Sequence, residues 1–264
     1  MEHSHLATEA MLIREERDGV TTLRMNRPRQ FNALSEAMLD ALQAELDAIA
    51  QDDKVRCVVL TGAGKAFCAG HDLREMRSQP DLAYYQALFA RCARMMQTIQ
   101  ALPVPVIAQV HGIATAAGCQ LVASCDLAIA SSDARFAVSG INVGLFCATP
   151  AVALSRNISP KRAFDMLVTG RFISAPTALD WGLINDVVAG EALDAAVAHK
   201  AAQISSKSGA AIRHGKAMFY RQRQMALDSA YALAGDVMAR NMMEEDACEG
   251  IDAFLQKRAP VWTS

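Results

Sequence analysis

Short apolar runs rich in β-branched residues alternate with loops and helix-forming segments, and this alternation restricts the possible folds more than any other feature. The strand candidates are residues 55–60, 104–110, 126–130, 135–138 and 183–188. Helices over residues 82–100 and 118–124 are expected between them. Strands that alternate with helices predict an α/β fold.

The N-terminal region adds a hairpin and a first helix. Residues 11–17 and 20–25 flank Asp18-Gly19, a dipeptide that favours a two-residue hairpin turn because glycine tolerates a positive φ. Ser35 is placed to cap a helix, because apolar residues recur after it at helical spacing.

Beyond Thr149 the pattern is almost wholly helical. Gly170 and Gly182 are predicted to end helices, and Ser174 to cap one. The helices expected after them are residues 191–207, 210–222, 228–244 and 246–256. We therefore predict a core over residues 1–200 that begins with a loose tail at 1–10, followed by a helical region over 201–264.

Composition limits the partners that the chain can attract. A formal net charge of −2 over 264 residues provides no overall field for nucleic acid or an anionic membrane, so neither is expected as a partner. Charge or proline interrupts the apolar stretches before the roughly 18 residues that a membrane helix needs. Residues 1–10 contain acids and no basic start followed by an apolar run, which predicts a cytoplasmic protein.

The cysteines and histidines show no ligand spacing. Seven cysteines are scattered without a CxxC pair, so we expect reduced and mostly buried thiols, including Cys119, Cys125 and Cys147. The six histidines form no HExxH motif, and no metal site is expected.

Two familiar nucleotide motifs are incomplete in this chain. The GAGK sequence at 62–65 follows a strand candidate, but Ala66 stands where a phosphate loop needs Ser or Thr, and Val59 where it needs its first Gly. A dinucleotide fingerprint fails at Phe67. His71 followed by Asp72 suggests a general base with its orienter, yet the chain has no GxSxG nucleophile motif; the alternative is a surface histidine whose side chain has no role.

Two loops rich in small residues follow strand candidates. They are KAFCAGHDL at 65–73 and HGIATAAGCQLVASCDLA at 111–128. Small residues let a ligand carbonyl approach the main chain, and the AAG of the second loop leads into a helix whose first N–H groups favour a negative oxygen. Two such donors form an oxyanion hole.

These loops, together with NRPRQFNAL at 26–34 and EGIDAFLQKR at 249–258, resemble the crotonase, or enoyl-CoA hydratase/isomerase, superfamily over nearly the whole chain. The stretches 112–131, 140–150 and 249–262 are similar to one subgroup, enoyl-CoA hydratase domain-containing protein 3. The resemblance implies a crotonase-like spiral of ββα units with a helical C-terminal region that drives trimerisation. It also implies an acyl-CoA or enoyl-CoA ligand, no cofactor other than this thioester substrate, and a homotrimer or a dimer of trimers.

By the same resemblance, the oxyanion donors are the backbone N–H groups of His71 and Ala117. Hydratases of the family carry one glutamate in the AAGCQL motif and a second about twenty residues later, where this chain has Gln120 and Gly140. A neutral amide cannot take a proton from water, and glycine has no side chain. The space vacated at Gly140 is expected to admit a substrate carboxylate.

The CoA-contacting positions are also implied by the resemblance. Arg29 and Phe31 match a segment that lines the CoA pocket, and Ala69 falls where the backbone receives the adenine. Phe254 and Lys257 match a C-terminal pair that often contacts CoA from a neighbouring subunit.

Three functions are compatible with the missing glutamates. The first is an acyl-CoA enzyme that stabilises an enolate without a protein carboxylate, for which decarboxylation of a malonyl-type acyl-CoA is the simplest reaction. The second is a non-catalytic acyl-CoA-binding or regulatory protein. The third is the family reaction, enoyl-CoA hydration or isomerisation, with Gln120 holding the water or a bound bicarbonate acting as the base.

Overall fold

The computed structural model describes residues 10–264, so residues 1–9 of the predicted tail lie outside the described part of the chain. The strands are β1 (Leu12–Arg17), β2 (Val20–Met25), β3 (Cys57–Gly62), β4 (Val106–Val110), β5 (Ile113–Thr115), β6 (Leu127–Ser131), β7 (Arg135–Ala137), β8 (Ile173–Ser174) and β9 (Asp186–Val188). The helices are α1 (Glu36–Ile49), α2 (Leu73–Ser78), α3 (Leu82–Ala101), α4 (Ala117–Ser124), α5 (Ala148–Leu154), α6 (Pro160–Thr169), α7 (Ala175–Trp181), α8 (Leu193–Ser205), α9 (Gly209–Gln222), α10 (Leu227–Asn241) and α11 (Glu245–Leu255).

Two sheets share the strands. The larger sheet has the order β1-β2-β3-β4-β6-β9 and is parallel except for the β1–β2 pair, and the smaller has the order β5-β7-β8. Strands that follow each other in the chain lie in different sheets. β4 and β6 pair in the larger sheet, while β5 and β7, which follow them, pair in the smaller. Each passage through both sheets is followed by a helix, α4 after β5 and α5 after β7. This is the predicted ββα spiral.

The N-terminal predictions are confirmed in detail. Asp18 and Gly19 both have positive φ, 50° and 76°, as a two-residue turn between β1 and β2 requires. The Ser35 hydroxyl accepts a hydrogen bond from the Met38 N–H at 3.2 Å and caps α1. The α1 stripe then packs its buried side chains, including Leu42 and Leu46, into the main core.

The helical second half is also confirmed, with differences at the ends. Gly170 and Gly182 end α6 and α7 with φ of 60° and 82°, and the Ser174 hydroxyl caps α7. The last strand is shorter than expected, because β9 covers only Asp186–Val188 while Leu183 and Ile184 are buried in the core instead. Residue 200, the predicted end of the core, lies inside α8.

A buried ion pair attaches α9 to the sheet. The Lys216 ammonium, in a residue only 9% exposed, donates to the carbonyls of Ile99 and Val104 and pairs with the Asp126 carboxylate at 2.6 Å. The Tyr220 hydroxyl donates to the other oxygen of Asp126 at 2.7 Å. All the polar groups of this cluster have partners, so it orients the C-terminal helices relative to β4 and β6.

Six of the seven cysteines are buried and all seven are free, as expected for reduced thiols. Within residues 10–264, no helix combines the length and the apolar character needed to cross a bilayer.

Candidate active site

Main-chain hydrogen bonds hold the two small-residue loops together. The Cys68 N–H donates to the Ile113 carbonyl at 3.1 Å, and the Thr115 N–H donates to the Cys68 carbonyl at 3.0 Å. Cys68 thereby extends the smaller sheet by a parallel bridge to Ala114. A Cβ at Gly118 would lie 2.1 Å from the Cys68 carbonyl oxygen, so only glycine allows this approach. The sequence therefore fixes the relative position of the loops through residues that carry no side-chain chemistry.

Asn32 and Arg27 hold the first loop in place through hydrogen bonds and an ion pair. The fully buried Asn32 amide donates to the carbonyls of Ala63 and Ala66 at 2.9 and 2.7 Å. Arg27 pairs with Asp72 at 3.1 Å, while Asp72 also accepts N–H bonds from the first turn of α2. Partial burial opposes ionisation of Asp72, but these hydrogen bonds outweigh it and lower its pKa. Asp72 is therefore occupied as a cap and ion-pair partner, and it does not orient the His71 ring.

The N–H groups of His71 and Ala117 are both free. Leu34 pairs with His71 in a parallel bridge through the Gly70 carbonyl and the Asp72 N–H, so the N–H of His71 itself faces away from Leu34. Ala117 is the first residue of α4, and its N–H has no acceptor within the helix. Among residues 10–264, neither N–H donates to a protein acceptor.

Gly70 brings these two donors together. Its φ is 91°, and a Cβ there would lie 3.1 Å from the Ala117 nitrogen and 2.9 Å from the Ala116 Cβ. The peptide that precedes His71 is thus in direct contact with the start of α4. Two free N–H groups at adjoining positions can hold one oxygen atom, which is the arrangement of an oxyanion hole.

Ala116 has a backbone conformation that alanine rarely adopts, with φ 50° and ψ −120°. The Ala116 N–H donates to the Ala137 carbonyl, and the Ala116 carbonyl accepts from the Gln120 N–H, both at 3.0 Å. These bonds hold the conformation against a strain of about 1–3 kcal/mol. The strained peptide directs the Ala117 N–H out of the helix end.

A cavity of about 380 Å³ lies in front of the two loops. It brings together four of the predicted positions, Ala69, His71, Ala117 and Gly140. Its walls are mainly apolar and include Leu73, Met76, Phe89, Val143, Leu145, Phe146 and Pro150, with Ser139, Cys147 and Thr149 as polar members. Among residues 10–264, no Asp, Glu, Lys or Arg lines it. Elsewhere in residues 10–264, His, Cys, Asp and Glu side chains form no group of three that could hold a metal ion.

A larger groove of about 690 Å³ lies between the strands β2 to β4 and helix α8. It contains none of the predicted site residues. The 380 Å³ cavity is therefore the candidate active site, because His71 and Ala117, the residues of the paired N–H groups, line it.

Gln120 lies one turn into α4 and is only 5% exposed. Its side-chain oxygen Oε1 has no hydrogen-bond partner, and the residue does not line the cavity. The amide is therefore buried outside the cavity lining, and an amide does not exchange protons with a ligand at neutral pH.

Gly140 borders the cavity, but the position of a side chain on it is filled. A Cβ at this position would lie 2.5 Å from the Leu145 carbonyl oxygen and 2.7 Å from the Cys147 sulfur. The Leu145 N–H donates to the Gly140 carbonyl at 2.9 Å, and the Gly140 N–H donates to the Cys147 sulfur at 3.3 Å. The loop over 145–147 therefore occupies the position that a Cβ at residue 140 would take.

The His71 side chain is neither a surface group nor part of a dyad with Asp72. Its ring contacts Phe89 edge to face at 5.6 Å, and both ring nitrogens are buried. Burial lowers the pKa of His71 and outweighs a hydrogen bond with the Leu34 backbone, which raises it. Burial raises the pKa of Cys147, the other titratable side chain of the cavity, so that thiol stays protonated at neutral pH. Sequence reasoning missed the burial of the ring because the contact comes from α3, outside the loop.

The predicted CoA positions fall into two groups. The Phe31 carbonyl accepts from the Ala69 N–H at 3.0 Å, so the 26–34 segment adjoins the cavity, with Phe31 itself 54% exposed and Arg29 exposed nearby. Phe254, at the end of α11, is 82% exposed, and neither it nor Lys257 lines the cavity. Within a single chain, the structure does not bring the C-terminal pair to the site.

Comparisons with known proteins agree with this geometry. The sequence model of the enoyl-CoA hydratase/isomerase family matches residues 15–264. Enoyl-CoA hydratase domain-containing protein 3, mitochondrial, from Xenopus laevis is 44% identical over 260 residues, covering 98% of this chain and 88% of that protein. The crystal structure of an enoyl-CoA hydratase from Mycobacterium smegmatis superposes with a TM-score of 0.96 at 59% identity, covering 97% of this chain and all of that one. The human enoyl-CoA hydratase domain-containing protein 3 superposes with a TM-score of 0.93 at 43% identity, covering 96% and 100% of the two chains.

The predicted cytoplasmic location is contradicted, because the relatives from Xenopus, mouse and human are all named as mitochondrial. That prediction relied on the composition of ten residues, too few to decide a compartment. The fold, the joined loops and the family match over residues 15–264 lead to one conclusion. This chain belongs to the enoyl-CoA hydratase/isomerase, or crotonase, family.

Proposed function

We propose that the protein binds acyl-CoA thioesters and stabilises their enolate form through the backbone N–H groups of His71 and Ala117. The observation that carries the proposal is the meeting of these two free donors at an apolar cavity. Donors fixed by the fold interact strongly with a developing oxyanion, because they need no reorganisation when charge appears. Apolar walls suit an acyl chain, while the thioester oxygen is the one strong acceptor that such a ligand would bring to the donors.

Hydration of an enoyl-CoA receives less support. An acid–base side chain contributes roughly 10² to 10⁴ in rate, and neither Gln120 nor Gly140 can supply one. We expect hydration of crotonyl-CoA to be slow.

Decarboxylation of a malonyl-type acyl-CoA is also weakened by the geometry. No cationic side chain of the described residues lines the cavity, and the 145–147 loop occupies the Cβ position at Gly140. A substrate carboxylate would lose its hydration without gaining a partner. Uncharged acyl groups are therefore the favoured ligands.

The exposed apolar surface of the C-terminal helices supports an oligomer. The large exposed side chains from α9 onwards are Phe219, Leu227, Tyr231, Met238, Met242, Met243, Ile251, Phe254, Leu255 and Val261. Apolar patches of this kind mark protein interfaces. We propose a homotrimer or a dimer of trimers in which Phe254 and Lys257 contact the CoA of a neighbouring subunit; light scattering of the purified protein tests the mass.

The proposed oxyanion hole is tested through the carbonyl of a bound ligand. Butyryl-CoA labelled with carbon-13 at the thioester carbonyl should bind more tightly than free CoA, and its infrared C=O stretch should move to lower frequency when bound. An unshifted stretch in the saturated complex would contradict the proposal.

Gly70→Ala is the matching variant, because its Cβ would press on Ala116 and on the Ala117 nitrogen. The shift should be lost in this variant. Gly182→Ala is the control: Gly182 has a similar φ of 82°, but the nearest atom to an added Cβ is 3.8 Å away. It carries the same backbone strain outside the site and should leave the shift unchanged.

A further inference from the structure

The cavity of the candidate active site has a buried floor and an exposed apolar rim. Met76 and Cys147 belong to the floor and are buried. Val143, Leu145 and Phe146 line the same cavity, yet these three side chains are between 44% and 67% exposed. Adjoining apolar groups left in water mark binding surfaces. We call the three residues the apolar rim, and they continue the wall of a cavity that already has a proposed ligand.

We propose that the apolar rim binds the outer part of a medium-chain acyl group and makes the protein select octanoyl-CoA over butyryl-CoA. This inference rests on the proposed function, because it needs the thioester oxygen held by the N–H groups of His71 and Ala117. The thioester carbonyl carries two substituents, the CoA sulfur and the acyl chain. With the CoA arm on the side of Ala69, the acyl chain is the substituent that runs along residues 139–150. Only a chain that extends beyond the floor reaches the rim.

Main-chain hydrogen bonds hold the rim in position before a ligand arrives. The Gly144 N–H donates to the Ile141 carbonyl at 3.1 Å, and the Leu145 N–H donates to the Gly140 carbonyl at 2.9 Å. Gly144 turns the chain between them with a φ of 80°, a conformation that favours glycine. A surface that is already ordered loses little conformational entropy on binding. Burial of the acyl chain on the rim therefore adds to affinity with little opposing cost.

The neighbouring groups favour a hydrocarbon chain over a polar one. The Ser139 hydroxyl forms a hydrogen bond with the Thr115 hydroxyl at 2.8 Å, and the Cys147 sulfur accepts the Gly140 N–H at 3.3 Å. These polar groups of the 139–147 segment therefore already have partners. No Asp, Glu, Lys or Arg of residues 10–264 lines the cavity. A polar or charged group on the acyl chain would lose its hydration at the rim without a new partner.

The test is the affinity of the protein for free CoA, butyryl-CoA and octanoyl-CoA, measured by isothermal titration calorimetry. A methylene group moved wholly out of water strengthens binding about fourfold, so the four additional methylenes of octanoyl-CoA, half buried on the rim, should strengthen it roughly tenfold or more. Octanoyl-CoA binding should also have the more negative heat-capacity change, because it buries more apolar surface.

Phe146→Ser should reduce the preference for octanoyl-CoA to about threefold or less, because the chain then meets a hydroxyl and water. Val143→Ser should reduce it in the same direction. In both variants, the affinities for free CoA and butyryl-CoA and the infrared carbonyl shift should stay within about twofold of native. Phe164→Ser is the matched control, since Phe164 is an exposed phenylalanine of α6 that does not line the cavity, and it should keep the native preference.

The outcomes separate this proposal from the proposed function. Octanoyl-CoA that binds the native protein no more tightly than butyryl-CoA overturns the rim proposal, and a shifted carbonyl in the butyryl-CoA complex then leaves the proposed function intact. A preference that persists unchanged in both rim variants also overturns it. Equal losses for all three ligands in Phe146→Ser do the same, because the rim would then contact the CoA arm or a second copy of this chain. Failure of butyryl-CoA to bind the native protein overturns both proposals.

Discussion

A side chain added at position 140 should destabilise the protein without restoring hydratase activity. In Gly140→Ala, the new Cβ would lie 2.5 Å from the Leu145 carbonyl oxygen and 2.7 Å from the Cys147 sulfur, whereas ordinary contacts begin near 3.4 Å. The 145–147 loop must therefore move by close to 1 Å, and overpacking of this kind costs about 1–3 kcal/mol. For a chain of this size, that loss lowers Tm by roughly 2–12 °C. Gly140→Glu adds the desolvation of a carboxylate and should be no more stable than Gly140→Ala.

The assay combines urea unfolding with crotonyl-CoA hydration, followed by loss of the enoyl ultraviolet absorbance. Gly215→Ala is the matched control: Gly215 lies in α9, an added Cβ meets no atom within 4 Å, and alanine should stabilise the helix by roughly 0.5–1 kcal/mol. The reasoning is refuted if Gly140→Ala unfolds within 0.5 kcal/mol of the native protein, on the order of measurement error. It is equally refuted if Gly140→Glu hydrates crotonyl-CoA at ordinary turnover, about 1 to 10³ per second, because the loop would then leave space for a working carboxylate.

Three further outcomes follow from particular contacts. Lys216→Met leaves the Asp126 carboxylate buried without its cation, so the free energy of unfolding in urea should fall by about 3–5 kcal/mol. A loss below about 1 kcal/mol, roughly that of a surface ion pair, would contradict the buried contact. Ala116→Gly relieves the strain at φ 50° but increases the conformational entropy of the unfolded chain. The free energy of unfolding should therefore stay unchanged or rise by up to about 2 kcal/mol. A lower Tm would mean that no strain is stored at Ala116. Stability should fall as the pH drops below about 6.5, because the folded pKa of His71 is lower than its unfolded value and the unfolded chain then binds more protons. Unfolding free energies measured from pH 8 to 5 should show a weaker fall in His71→Gln, and an identical fall would exclude His71 as the source.

Sequence patterns predicted the elements whose signals are local. The Asp18-Gly19 turn, the Ser35 cap and the strands β3, β4 and β6 depend on neighbouring residues or on continuous apolar runs, and they are present. The strand β5 was expected as loop, because three residues are too few to show a periodic pattern. It forms through pairing with β7 and with Cys68, a contact between segments distant in sequence.

The same distinction applies to the site. The small residues of the two loops predicted a pair of N–H donors, and Gly70 places the start of α4 next to the peptide that precedes His71. The role of His71 and Ala117 as an oxyanion hole stays a prediction. The closed space at Gly140 was not predictable, because it depends on how residues 145–147 fold back after a 3₁₀ turn at Ser139–Val143. The buried state of the His71 ring depends on Phe89, a residue of α3 whose spacing indicates only a helix face.

Polarisation of a thioester and proton transfer would depend on different parts of this protein, so one could be kept when the other is lost. Polarisation of the thioester depends on backbone groups, and their position depends on Gly70 and Gly118, where any side chain would push the loops apart. Proton transfer depends on side chains, and substitution at 120 and 140 removes it without disturbing the glycines. The oxyanion hole proposed for His71 and Ala117 therefore needs no side chain at 120 or 140, because backbone groups form it.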